Sequence, residues 1–277
     1  VFDPTIGYSK EQADKLGIEI TPFIIGIDDN LYIDDNSLDK DLILNDIHSK
    51  KLVSWSQPNV SDTIGLFQEI LKSNDYIIYF TIAQSISGTY NAGVLAAREI
   101  GLNKVRVVDI KSGFGLSRYL LTKLKQLVQS NSSIQEMVDE ASSLVYSSAS
   151  YLIFNDLESF SDFNTINSIK KTLYQTSKTK FVLKMKTNGD LTCLSRSTNY
   201  ENLINRMILD ATNQDILKES SIMYLSYYQD NDLVNKIKDK VRINYPNIKI
   251  EELPFNLSFA LEYGSNAIVV QFIKEDK

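Results

Sequence analysis

The sequence predicts an α/β protein built as two domains, and three observations predict it. Its 277 residues exceed the usual span of one hydrophobic core. Short β-rich runs alternate with segments of 3.6-residue periodicity through the first half. In the second half Asn188-Gly189 separates two apolar runs, a pair that supplies the positive φ angles of a tight hairpin turn. The expected division places one α/β domain at 1–150 and another at 151–277.

Taken in order, Ile18 to Ile27 reads as a strand and Leu38 to Lys51, which carries His48, as a surface helix. Asp62 to Lys72 follows as a helix, Tyr76 to Ala83 as a buried strand, Thr89 to Gly101 as a helix and Val105 to Ile110 as a strand. Leu116, Leu120, Leu124 and Leu127 share one helix face; Ile134, Met137, Val138, Ala141, Leu144 and Val145 share another. Such stripes are core surfaces. This alternation favours a parallel sheet covered on both faces, with any ligand at the carboxyl ends of its strands.

The second half opens with a strand, Tyr151 to Asn155, and a helix, Ile166 to Thr176. The hairpin Phe181 to Met185 and Leu191 to Leu194 comes next, then helix Tyr200 to Leu217 and strand Ile222 to Tyr227. Helix Asp232 to Ile243 and strands Ile248 to Leu253 and Ala267 to Ile273 complete the pattern.

Formal net charge is −6, and 29 Lys and Arg are interleaved with 35 Asp and Glu, so nucleic acid and anionic membrane surfaces are poor partners. The apolar runs fall far short of the ~20 residues that span a bilayer. No charged and apolar leader opens at Val1, so the cytoplasm is the expected compartment and the missing initiator Met reads as trimming. Cys193 is the one cysteine and His48 the one histidine. A nucleophile-histidine site would have to use His48, and zinc would lack its usual ligands. Catalytic residues, metal ions and cofactors are therefore not expected.

Three strand-to-helix loops carry the remaining chemistry. Gln84-Ser85-Ile86-Ser87-Gly88-Thr89 joins the buried strand to an Ala-rich helix, with Ser87 or Thr89 suited to an N-cap and Gly88 permitting close backbone approach. Free N–H groups and hydroxyls there suit a carboxylate or phosphate; plain helix capping explains the same residues. Ser54-Trp55-Ser56-Gln57-Pro58-Asn59 reads as a polar entry loop in which Pro58 keeps Gln57 extended. Asp109-Ile110-Lys111-Ser112-Gly113-Phe114-Gly115 bears glycines without the spacing of a nucleotide-phosphate loop.

These loops, in this order and at these intervals, resemble the DegV family, whose members resemble the fatty-acid-binding subunit of bacterial fatty acid kinase. The family's opening Asp-Ser/Thr turn looks like Asp3-Pro4-Thr5, its Thr-Ser-Gln-Pro loop like Ser56-Gln57-Pro58, and its Ser-Gly-Thr turn stands unchanged at Ser87-Gly88-Thr89. Val108-Asp109-Ile110 resembles its Val-Asp-Ser, and Asp156-Leu157-Glu158 its Asp-Thr-Leu-Glu.

The resemblance implies a parallel-sheet N-terminal domain and an α/β C-terminal domain with a ligand tunnel between them, the final segment packing back onto the ligand. In the family a fatty acid carboxylate meets the Ser-Gly-Thr serine and the Thr-Ser-Gln-Pro threonine, near an Arg and a His of the second domain. Carried over, these imply Ser87 with Gly88 and Thr89, Ser56 with Gln57, Gly113 in the third loop, and Arg196 just after the hairpin. The threonine position reads Trp55, the family's terminal His position reads Glu262, and its Gly-Gly-Arg-Ile reads Phe163-Asn164-Thr165-Ile166. Two outcomes follow: Glu262 pairs with Arg196 and leaves the acid to Ser87, Ser56 and backbone amides, or the ligand is no longer a simple fatty acid. The implied function is a non-catalytic carrier that holds one long-chain fatty acid and presents it to a separate kinase subunit. The alternatives are a paralogue that binds another amphiphile or a protein partner, and a hydrolase using Asp3, Asp109 or Glu262.

Overall fold

The computed structural model describes residues 1–34, 53–154, 179–228 and 232–275. The helices expected at 38–51 and 166–176, with His48 and the stretches 156–158 and 163–166, lie outside the described residues.

In the first half a 3-10 turn, Pro4–Ile6, and helix α1 (Lys10–Leu16) precede strands β1 (Phe23–Ile27), β2 (Asn30–Asp34) and β3 (Val53–Ser56). Helix α2 (Val60–Ile70), β4 (Ile77–Thr81), α3 (Thr89–Ile100), β5 (Val105–Asp109), α4 (Gly115–Gln129) and α5 (Ile134–Ser143) follow. Strands β4 and β5 run parallel, Ile77 opposite Val105, and Phe2 adds parallel bridges to Phe80 and Ile20. Alternate side chains bury both faces of this short parallel sheet. Ile77 and Tyr79 meet Phe67 of α2 and Ala96 and Ala97 of α3, while Phe80 and Val108 join Leu116, Leu120 and Leu124 of α4.

The strand expected over Ile18 to Ile27 divides in two. Thr21 donates its backbone N–H to Phe2 at 2.9 Å, but Pro22 has no N–H to continue the ladder, and the chain turns away into β1. Strand β1 then forms a separate antiparallel sheet in the order β2-β1-β3. Ser54 to Ser56, expected as a loop, is therefore a strand, with Trp55 opposite Ile25 and Ser56 opposite Ile24. The alternation in Val53-Ser54-Trp55-Ser56 is a strand period that its hydroxyls and the nearby Pro58 disguise.

The second half contributes β6 (Ser148–Phe154), β7 (Lys180–Met185), β8 (Leu191–Ser197), α6 (Tyr200–Asn213), β9 (Ile222–Tyr227), α7 (Asp232–Asn244), β10 (Lys249–Pro254), α8 (Leu257–Tyr263) and β11 (Ile268–Ile273). Its six-stranded sheet has the order β10-β9-β11-β6-β7-β8. Only β9 and β10 are parallel there; β11 enters between β6 and β9, antiparallel to both. Helix α6 stops at Asn213, short of the expected Leu217, because Asp215 adopts a left-handed φ of 60°. Strand parity sorts the sheet's two faces. Tyr151, Ile153, Val182, Ile268 and Val270 pack against Leu203, Met207 and Ile237 of α6 and α7. Leu152, Phe154, Phe181, Leu183 and Val269 join Phe23, Ile25 and Ile27 of β1 in another cluster.

Buried polar side chains interrupt that second face, chief among them Gln271. Gln271 of β11 is 1% exposed, and its Nε2 donates to Ser112 Oγ at 2.8 Å, Ser150 Oγ at 2.9 Å and the Gly113 carbonyl at 3.1 Å. Its Oε1 accepts from the Leu116 backbone N–H at 3.3 Å, in the first turn of α4. Replacing it strands several buried groups at once, each costing about 1–3 kcal/mol. Gln271→Leu is expected to lower stability by roughly 2–4 kcal/mol, read as a fall in the urea midpoint; an unchanged midpoint would remove Gln271 from this role.

Candidate functional site

The carboxyl ends of β4 and β5 open toward the face of the six-stranded sheet that carries Leu152 and Val269. After β4 the chain turns tightly: the backbone N–H groups of Ile86 and Ser87 donate to the Ala83 carbonyl at 2.9 and 3.2 Å. Ser87 and Thr89 are buried, and their hydroxyls share a 2.8 Å hydrogen bond. Neither is the N-cap. Gly88 holds that position in α3 and can offer no side-chain oxygen; Ser87 Oγ accepts from the Thr89 N–H at 3.3 Å, and the helix N–H groups that follow have no side-chain cap. A Cβ on Gly88 would come within 3.0 Å of the Gln57 amide nitrogen, which shows how closely the Ser56-Gln57-Pro58 turn lies over Ser87-Gly88-Thr89.

The loop after β5 is tied to the same place. Asp109 accepts from the Lys111 backbone N–H at 2.8 Å and from its ammonium at 2.7 Å, and from the Gln84 N–H at 3.3 Å. Lys111 and Phe114 are both held at left-handed φ values, 58° and 55°. Gly113 allows a close approach: a Cβ there would stand 2.7 Å from Thr5 Oγ1. Thr5 is itself fixed by Asp3, whose carboxylate accepts from the Thr5 N–H at 2.9 Å, the Thr5 hydroxyl at 2.5 Å and the Ile82 N–H. Burial pushes the Asp3 carboxyl up from its ordinary value, against those three donors. Asp3 thus orders the backbone of the loop floor.

Between these loops and the large sheet runs a narrow apolar slot. Ile82, Ile86, Phe114, Leu152, Phe255 and Phe259 are among its walls, with Ser112 and Ser150 at one side. It holds about 410 Å³ of non-atom space with its open mouth included. Met185 and Leu191, on either side of the Asn188-Gly189 turn, complete a wall. The turn is anchored to the first loop by the Ser85 hydroxyl, which donates to the Gly189 carbonyl.

Helix α8 supplies the opposite wall and was not legible as a helix. Phe255, Phe259 and Tyr263 recur every four residues, a single helical face that could have revealed it. Phe259 packs edge-on to Phe114 at 5.2 Å and stacks with Tyr263 at 5.7 Å. The Ser258 backbone N–H and hydroxyl, at the start of α8, donate to Asp34 of β2 at 2.8 and 2.6 Å. Glu262, 1% exposed, faces β3, where the Trp55 indole N–H donates to Oε2 at 3.1 Å. Trp55 also contacts Phe23 and Phe259 at ring distances of 5.7 and 5.9 Å. The expected pairing of Glu262 with Arg196 is not what forms. Arg196 is exposed on β8 opposite Phe181, outside the slot wall, and among the described residues it makes no ion pair with Glu262. Gly113 lines the slot; Ser87, Gly88, Thr89, Ser56 and Gln57 cluster at the neighbouring loops.

Residues 1–275 match the DegV family of uncharacterised proteins. The chain belongs to the DegV family. A DegV domain-containing protein of Staphylococcus aureus is 31% identical over 145 residues, which is 52% of this chain and 51% of that protein, so the matched stretch spans about half of each. The fold matches a Thermus thermophilus DegV family protein described as fatty acid binding, with a TM-score of 0.87 at 18% identity over 99% of this chain and 98% of the other. It also matches the fatty acid kinase B3 protein of Streptococcus pneumoniae, loaded with linoleic acid, with a TM-score of 0.80 at 15% identity over 99% and 98%. Among the described residues no group of three His, Cys, Asp or Glu side chains could hold a metal ion, and no helix is long and apolar enough to cross a membrane.

Trp55 and Glu262, two of the positions where this DegV chain departs from the quoted motifs, pair directly with each other. A bulky indole beside a lone carboxylate would each be a liability; together they bury a charge-assisted hydrogen bond between β3 and α8. A double-mutant cycle on Trp55→Phe and Glu262→Gln is expected to give a coupling of about 1–3 kcal/mol in urea unfolding. Strict additivity of the two substitutions would refute the pairing.

Proposed function

We propose that this chain is a non-catalytic carrier that holds one long-chain fatty acid, with its carboxylate at the Ser87-Gly88-Thr89 turn and its alkyl chain in the apolar slot. The apolar slot lined by Ile86, the residue next to that turn, is the observation that carries the reading. The ligands described for the Thermus and Streptococcus relatives point the same way. Ser87 and Thr89 offer hydroxyls, the uncapped start of α3 offers N–H groups, and Ser56 and Gln57 close the head-group end. Gly113 lets the floor approach the chain, while Trp55 donates to Glu262 between β3 and α8. Arg196 has no part in holding the acid here. We assign the head-group loops to a domain of residues 1–150 and the opposite wall to one of 151–277, with α8 and β11 closing the slot from the second.

The apolar lining suits an alkyl chain. Burying some 15 methylenes yields about 12 kcal/mol before ordering costs, against about 1.5–3 kcal/mol for each charge-assisted hydrogen bond to the head group. The chain therefore dominates affinity and the polar loop sets direction. Presentation to a separate kinase, which would supply the phosphoryl transfer, needs the carboxylate end to face the opening.

The crowding of Phe114, Phe255, Phe259 and Tyr263 favours one second reading, a paralogue whose slot is filled by its own side chains. Organic extraction of the purified protein followed by mass spectrometry separates the two. A stoichiometric fatty acid is expected; no lipid, together with unchanged Trp55 fluorescence on titration with palmitate, would refute the carrier. Ser87→Ala is expected to weaken palmitate binding by about 1–3 kcal/mol, measured by the same fluorescence, and equal affinity in a folded variant would displace the head group from this turn.

A further inference from the structure

Behind the Ser112 and Ser150 side of the slot lies a second cavity of about 280 Å³, and every charged side chain that lines it is a lysine: Lys111, Lys184 and Lys186. In a chain of net charge −6 with acidic and basic residues interleaved, a concavity lined by cations and no carboxylate stands apart from the rest of the surface. The acids that touch these lysines lie outside the lining and act as braces. Asp109 holds the Lys111 ammonium at 2.7 Å. Asp210 holds that of Lys184 at 2.9 Å while the same oxygen accepts from the Tyr151 hydroxyl and the Gln214 amide, each at 2.7 Å. Lys186 is exposed and, among the described residues, makes no ion pair.

Counting both braces, the cavity keeps a surplus positive charge. The Thr187 hydroxyl and one of the Ser112 and Ser150 pair, which share a 3.1 Å bond, supply further donors around it, while Ser148 donates to the Val145 carbonyl. Leu116, in the first turn of the 15-residue helix α4, is also part of its wall, so the positive end of that helix adds to the field. A wall of lysines and hydroxyls contributed by several elements suits a tetrahedral anion with oxygens on every side better than a planar carboxylate.

We propose that this lysine-lined cavity is a phosphate-binding site. Its phosphate comes either from a free small phosphate compound or from a phosphate borne by the amphiphile in the slot, because Ser112, Ser150 and Met185 line both spaces. Only the second source rests on the lipid reading.

Isothermal titration with pyrophosphate and with hexadecyl phosphate, on the wild-type chain and on Lys186→Gln and Lys111→Gln, tests the site. Saturable binding of at least one probe, weakened about tenfold or more by either substitution and further weakened by added salt, is expected. Lysine-dependent binding of pyrophosphate identifies a free phosphate; the same dependence for hexadecyl phosphate alone identifies the slot's own ligand. Non-saturable binding, or equal affinity for both probes in all three proteins, overturns the site. Palmitate titration followed by Trp55 fluorescence on Lys186→Gln is expected to be unchanged, so a failure of the fatty acid reading registers separately.

Discussion

The buried amide of Gln271 holds together parts of the chain that no ladder joins. Its strand lies in the middle of the six-stranded sheet, yet its bonds reach the Ser112-Gly113 loop after β5 and the first turn of α4. One side chain thereby fixes the distance between the large sheet and the carboxyl ends of the parallel strands, and the slot is the space left between them. An apolar residue there would leave the loop floor unattached and its buried partners without their bonds. A satisfied buried polar network fixes the arrangement as well as adding to stability.

The same reasoning explains why the apolar cluster around the slot draws on every layer. The three-stranded sheet adds Phe23, Ile25 and Ile27 to it, the first loops Ile82 and Ile86, the large sheet Leu152 and Val269, the approach to α8 Phe255 and α8 itself Phe259. Each element buries one face against its own helices or neighbours and lends the other to this common interior. Asp34 of β2 braces the start of α8, and Ser85 braces the tip of the β7 to β8 hairpin. The narrow interior is thus bounded by polar clasps at its rim.

Periodicity made much of this legible. The alternation of Tyr76 to Ala83 with the Ala-rich helix after it foretold a parallel pair buried on both faces, and Asn188-Gly189 foretold the hairpin, because local backbone preference decides both. The Ser-Gly-Thr turn and its companion loops pointed to the place where they do converge. What stayed hidden depended on distant partners. Ser54 to Ser56 is a strand only because β1 turns away at Pro22 to pair with it, and α8 is short, aromatic and capped by Asp34 from more than two hundred residues earlier. The pairing of Trp55 with Glu262 joins residues 207 positions apart, which no spacing rule within a single sequence can anticipate.

The central place of β11 also bears on the order in which the protein is made. Of the six strands in its sheet it leaves the ribosome last, and until it arrives β6 and β9 each keep an open, apolar edge. The first half can collapse early around its short parallel sheet, whereas the larger sheet must wait for a non-local insertion that carries the high entropic cost of distant pairing. A nascent chain stalled before Ile268 would thus hold two unzipped strand borders at once, and these are the surfaces on which a chaperone would settle or self-association would begin.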